Sequence, residues 1–233
     1  MPKPERALLL VGSPRGAHST SAVLGGYLLH RLAEAGLATE TVLVAHLAEC
    51  EERLQEVLPK LAEADLLILS FPLYADTLPA VTIQFMEWIA ASRERLKHPQ
   101  GQTFVAIANS GFPEAWRSHT ALAICRKFSQ EVGFRWGGRL ALGGGAAIDG
   151  RPLSALGGLM RHAVSALDLT AAALAAGEPV PGEATELMAH PFMPFWAYLS
   201  LGGLSWRRKT RRMGAWKILD KQPAGAEEKP AGP

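Results

Sequence analysis

Five short, unbroken apolar runs constrain this chain more than any other feature. They lie at 7–11 (ALLLV), 41–45 (TVLVA), 66–71 (LLILSF), 103–108 (TFVAIA) and about 138–143. Each is too short for a helix and too continuous for a half-exposed strand, so they predict parallel strands buried on both faces. Helical spacing fills the gaps: Leu24, Leu28 and Leu32; Val81, Phe85, Trp88 and Ile89; Ala121, Cys125, Phe128 and Val132. Pro79 suits a first helical turn, and Gly36 and Gly133 suit helix ends. Five such β-α repeats and an Ala/Leu-rich helix over about 153–175 predict a doubly wound α/β sandwich. Right-handed crossovers leave few topologies for it.

With 233 residues, 48% hydrophobic and 20% charged, the chain fits one full core better than two small ones. The opening MPKPER leads into only five apolar residues and then Gly-Ser-Pro, which predicts neither a signal peptide nor a membrane span, and a cytoplasmic protein. Cys50 and Cys125 are far apart and outside any CxxC or Cys/His cluster, so no metal site or disulfide framework is predicted, and Cys125 reads as core filler. A net charge of +2 gives no ground for a nucleic-acid partner. The organisation expected is a domain over 1–176, a helical, aromatic and basic extension over 177–221 that begins with a linker-like GEPVPGE and packs on the domain or a partner subunit, and a disordered tail over 222–233. Within the extension, PFMPFWAYLSLGG (191–203) is too short for a span needing about twenty residues. The basic run after it, Arg207 to Arg212, leaves peripheral membrane contact through 191–212 as the alternative to docking.

The turn after the first strand, VGSPRGAHSTSAVLGG (11–26), is rich in small and hydroxyl residues. In doubly wound sheets ligands gather at the carboxyl ends of the strands, and a helix that starts there offers unpaired N–H groups to an anion. Arg15 adds a guanidinium fork suited to phosphate oxygens. The GxxxxGK[ST] and GxGxxG arrangements are missing, which argues against a nucleoside triphosphatase and a dinucleotide loop and leaves a single phosphate monoester as the ligand the cradle suits. Hydroxyl and glycine residues also cap helices that bind nothing. No GxSxG or HExxH occurs, and histidines such as His119 are scattered, so no side-chain nucleophile or metalloprotease is indicated.

Taken together, GSPRGAHSTS, the segment SFPLYADTLPAVTIQFMEWI (70–89) and NSGFPEAW (109–116) resemble the NADPH-dependent FMN reductase superfamily of flavodoxin-like proteins over roughly residues 6–145. The resemblance implies a flavodoxin-like sheet of order 2-1-3-4-5, bound FMN, NAD(P)H as electron donor, and a homodimer. It implies that Ser13, Arg15, Ser19, Thr20 and Ser21 hold the phosphate. Pro72, Leu73, Tyr74 and Ala75 would line the ribityl chain and ring, and Asn109, Ser110 and Gly111 would face the ring's other edge. The chain departs from the family pattern at Ser19, where asparagine is common, and at Ala75 and Asp76, where an aromatic residue or glycine is common. The implied reaction is hydride transfer from nicotinamide to FMN and on to a quinone, nitroaromatic, flavin or metal acceptor, with the cofactor carrying the chemistry. A flavodoxin-like electron carrier or flavin-binding module without its own substrate, and a fold that has lost its cofactor, are the alternatives.

Overall fold

A computed structural model of the chain describes residues 3–47, 51–96 and 101–193. Every apolar run seeds a strand: β1 (Arg6–Val11), β2 (Ala38–Leu43), β3 (Leu66–Pro72), β4 (Thr103–Asn109) and β5 (Arg135–Leu142). All four pairings are parallel and the order is β2-β1-β3-β4-β5. Six α-helices are seen among the described residues: α1 (Thr20–Glu34), α2 (Glu51–Glu63), α3 (Ala80–Ala91), α4 (His119–Val132), α5 (Arg161–Ala175) and α6 (Gly182–Ala189). None of these is long and apolar enough to cross a membrane.

Alternation along each strand divides the core in two. Leu8 and Leu10 of β1, Leu67 and Leu69 of β3, and Phe104 and Ala106 of β4 pack with Leu61, Phe85 and Cys125 under α2, α3 and α4. Their neighbours Leu9, Val11, Ile68, Val105 and Ile107 pack on the opposite face with Leu24, Leu28, Leu167 and Met188 of α1, α5 and α6. Burying residues on both faces is what made the runs continuous in sequence. Helix α1 lies unusually close to the sheet: a Cβ on Gly25 would fall 2.5 Å from Leu9 Cδ1. Ser70 of β3 donates its hydroxyl to the Ser21 carbonyl at 2.8 Å.

The structure differs from the sequence reading at four places. Strand β2 starts three residues before the predicted run, because Ala38 to Thr41 are exposed at the sheet edge and carry no apolar signal. Strand β5 likewise starts at Arg135, ahead of the glycine pair Gly137 and Gly138 that accompanies a register shift against β4. The helix expected over 153–175 is broken: Gly157 (φ 55, ψ −144) interrupts a 3-10 stretch, Leu153–Met160, before α5 begins. Helix α2 appears where the pattern reading named none. Helix α6 falls in the segment expected as a helical extension. Val180 N donates to Gly137 O at 2.8 Å, and Ala184 and Met188 are buried in the core. The compact unit therefore runs to Phe192. Cys50 and the aromatic and basic run from 194 onward lie outside the described residues, and so do the expectations attached to that run.

Candidate functional site

The strand order reverses beside β1, whose neighbours are the sequential strand β2 and the crossover strand β3. At that place the carboxyl ends of β1, β3 and β4 bring all twelve residues singled out in the sequence to one rim.

The loop from β1 to α1 is held by its own small side chains. Ser19 caps α1: its Oγ accepts from Ala22 N at 3.1 Å and donates to Gly16 O at 2.7 Å. The turn beneath it closes through Gly16 N donating to Ser13 O at 2.9 Å. Thr20 Oγ1 donates to Gly145 O at 2.9 Å, tying the helix start to the loop after β5. Ser21 Oγ accepts from Asn109 Nδ2 at 2.8 Å. Ser19 and Thr20 therefore spend their hydroxyl protons on shaping the loop, whereas Ser21 accepts from Asn109 and keeps its proton to donate. The donors left for an anion are the amides of Thr20 and Ser21, which no intrahelical carbonyl reaches, the Ser13 and Ser21 hydroxyls, and the Arg15 guanidinium. Ser13 is buried with its Oγ accepting from Arg15 N at 3.3 Å. Arg15 is half-exposed, with Nη2 donating to Asp149 Oδ1 at 2.9 Å. Amide, hydroxyl and guanidinium donors at a helix N-terminus suit a phosphate monoester and leave no acidic group inside the turn itself.

After β3, Leu73 N still donates to Asn109 O at 2.8 Å, so the sheet extends into the predicted ring-lining segment. Tyr74 and Thr77 then pair antiparallel across a two-residue turn, N to O at 2.9 and 3.1 Å. Ala75 (φ 49) and Asp76 (φ 61) both occupy the left-handed region there, the geometry of a type I′ turn. Tyr74 projects into solvent at 48% exposure.

The predicted edge after β4 is mostly internal wiring. Asn109 is buried, and its amide donates to Phe71 O at 3.0 Å as well as to Ser21. Ser110 N donates to Leu142 O and its hydroxyl to Phe112 O. Gly111 stands exposed at the tip. The loop after β5, which sequence reading passed over, is pressed against this one: Gly144 N and Gly145 N donate to Phe112 O and Ser110 O at 2.6 and 2.7 Å. A Cβ on Gly143 would lie 2.0 Å from Pro113 O, so that backbone approach requires glycine. The triple glycine at 143–145, directly after an apolar run, was the signal available for it.

Sequence reading also missed Thr82, whose buried hydroxyl donates to Gly12 O at 2.6 Å, and Arg117. The Arg117 guanidinium lies 4.4 Å from the Phe112 ring centre and 5.3 Å from that of Trp116. It faces Glu114 at 3.5 Å and Asp76 at 4.0 Å, linking the loops after β3 and β4. Phe112 and Trp116 keep more than half of their surface in solvent.

The sequence matches a known family. The family model for NADPH-dependent FMN reductase matches residues 6–123, just over half of the chain. The chain belongs to the NADPH-dependent FMN reductase family. As a member it is an NAD(P)H-dependent FMN reductase-like oxidoreductase, with FMN as cofactor and NAD(P)H as donor. No curated protein matches in sequence. Solved structures agree on the fold at low identity. An FMN-dependent NADH-azoreductase from Bacillus anthracis, in complex with FMN, is 16% identical and aligns over 73% of this chain and 99% of its own, with TM-score 0.56. An apo NADH:FMN oxidoreductase is 17% identical over 82% and 96%, with TM-score 0.54. A Streptococcus pneumoniae flavodoxin is 14% identical over 73% and 98%, with TM-score 0.53. These likenesses show a flavodoxin-like fold and, at such identity, no more than that.

Proposed function

We infer that the rim holds FMN with its phosphate on the first turn of α1 and its ring between the loops after β3 and β4, and that the protein reduces a flat aromatic acceptor there. The phosphate falls to Ser13, Arg15 and the amides of Thr20 and Ser21, while Ser19 fixes the loop by capping. Pro72, Leu73, Tyr74 and Ala75 bound the ring on one side, and Ser110 and Gly111 on the other, with Asn109 locking both loops to α1. Bound FMN supplies a two-electron centre that takes hydride from nicotinamide and passes it on. The chain supplies orientation, backbone donors and a rigid edge, since the loops after β1, β4 and β5 are hydrogen-bonded to one another.

The observation that carries the acceptor class is the cluster of exposed aromatic faces. Tyr74, Phe112 and Trp116 are three of the five large hydrophobic residues exposed among those described, and Arg117 braces two of them. Stacking on aromatic faces suits quinones, nitroaromatics or a second flavin. The flavodoxin likeness favours a second reading, an electron carrier with no substrate of its own. The deciding experiment is anaerobic addition of NADPH or NADH to the FMN-loaded protein, followed by a quinone. Bleaching of the flavin band with its return on quinone addition supports the reductase; a band that persists with both nucleotides supports the carrier.

A further inference from the structure

The loop after β5 brings a carboxylate to the phosphate loop. Arg151 N donates to Ile148 O at 3.0 Å, closing a four-residue turn whose central residues Asp149 and Gly150 have φ of 46 and 75. Such a turn needs a left-handed backbone at both centres, which asparagine, aspartate and glycine all provide. The turn lies against the phosphate loop, since a Cβ on Gly150 would come within 2.6 Å of His18 O. Its geometry explains a short polar residue at 149 and does not call for a charge. The charge nevertheless sits on Arg15, Nη2 to Oδ1 at 2.9 Å. The other nearby cation, Arg151, is turned back onto the carbonyls of Ile148 and Ala147.

We propose that Asp149 limits the affinity of the site for the FMN phosphate: it occupies part of the Arg15 guanidinium and repels the dianion that must share it. This rests on the phosphate placement given above. Two effects of the carboxylate oppose each other. By holding Arg15 in place it favours binding, but both side chains are more than half exposed (54% and 65%), and pre-ordering by such a pair is worth at most about fivefold. Repulsion between a carboxylate and a dianion on one guanidinium acts within a Debye length and amounts to about tenfold at low salt, falling as salt rises. Loss of one guanidinium donor adds to the repulsion, so the net effect is weaker binding.

The test compares dissociation constants of FMN and riboflavin for the full chain and its Asp149→Asn and Asp149→Gly variants, by quenching of flavin fluorescence at low and high salt. Both substitutions keep the left-handed backbone, so the turn survives in each. The expected result is FMN binding tightened about threefold or more at low salt in both variants, a gap that closes as salt rises, and riboflavin affinity unmoved. Unchanged or weaker FMN binding, or an equal gain for riboflavin, overturns the role of Asp149. If the unsubstituted protein binds FMN no better than riboflavin, the phosphate placement fails and this proposal fails with it.

Discussion

Ser19 shows how much one side chain settles at the mouth of α1. Its hydroxyl both caps the helix and closes the loop onto Gly16, so this serine serves the shape of the loop. In the proposed placement, anion recognition falls chiefly to Ser13 and Arg15. Replacing both by alanine should weaken FMN binding by about 10- to 100-fold, the worth of one or two charge-assisted bonds, with riboflavin affinity and folding little changed; equilibrium binding of the two flavins reads this. Asn109 behaves oppositely. Asn109→Ala removes the amide that ties Ser21 to Phe71 and leaves a buried carbonyl without that donor, so unfolding in urea should show a loss of about 2 kcal/mol. Cys125 is core, as its sequence position suggested: it is fully buried and burial pushes its thiol up to about 12. Its peptide should escape alkylation in the native protein and react once the chain is unfolded. Residue types at the rim were legible in the sequence, because helix starts and strand ends select them. Which of their atoms face outward was not, because Thr20, Ser21 and Asn109 find partners up to 125 residues away.

The turn Tyr74 to Thr77 is the element whose sequence fits its shape least well. Type I′ turns favour Asn-Gly, yet Ala75 and Asp76 occupy the two left-handed positions, at a cost of about 1–2 kcal/mol for alanine. The combined change Ala75→Asn and Asp76→Gly should raise the melting temperature by about 2–6 °C in a domain of this size, which differential scanning calorimetry measures. It also removes the Asp76 contact to Arg117, a 4.0 Å pair with its carboxylate in solvent and too weak to reverse the gain. This turn, which carries Tyr74 and Ala75 of the proposed ring-lining segment, is where sequence and local preference disagree. Elsewhere, elements buried on both faces were the easiest to read: β1, β3 and β4 lie where their apolar runs predicted. Edge strand β2 and the glycine-interrupted β5 were shifted because exposure and glycine erase the hydrophobic signal. Helix α2 was hidden for a related reason, its apolar face of Val57, Leu58 and Leu61 being embedded in charged residues.

For the whole molecule, parallel order 2-1-3-4-5 gathers segments that are distant in sequence at one rim. The resemblance seen over 6–145 and the family match over 6–123 cover the loops after β1, β3 and β4. The loop after β5 left only its triple glycine as a signal and Arg117 left none, because their roles depend on packing between loops. A crystal structure of the FMN complex tests the account most directly. It should place the phosphorus atom at the amino end of α1, within hydrogen-bonding reach of Ser13, Arg15 and the amides of Thr20 and Ser21. A phosphate seated anywhere else on the protein would contradict it.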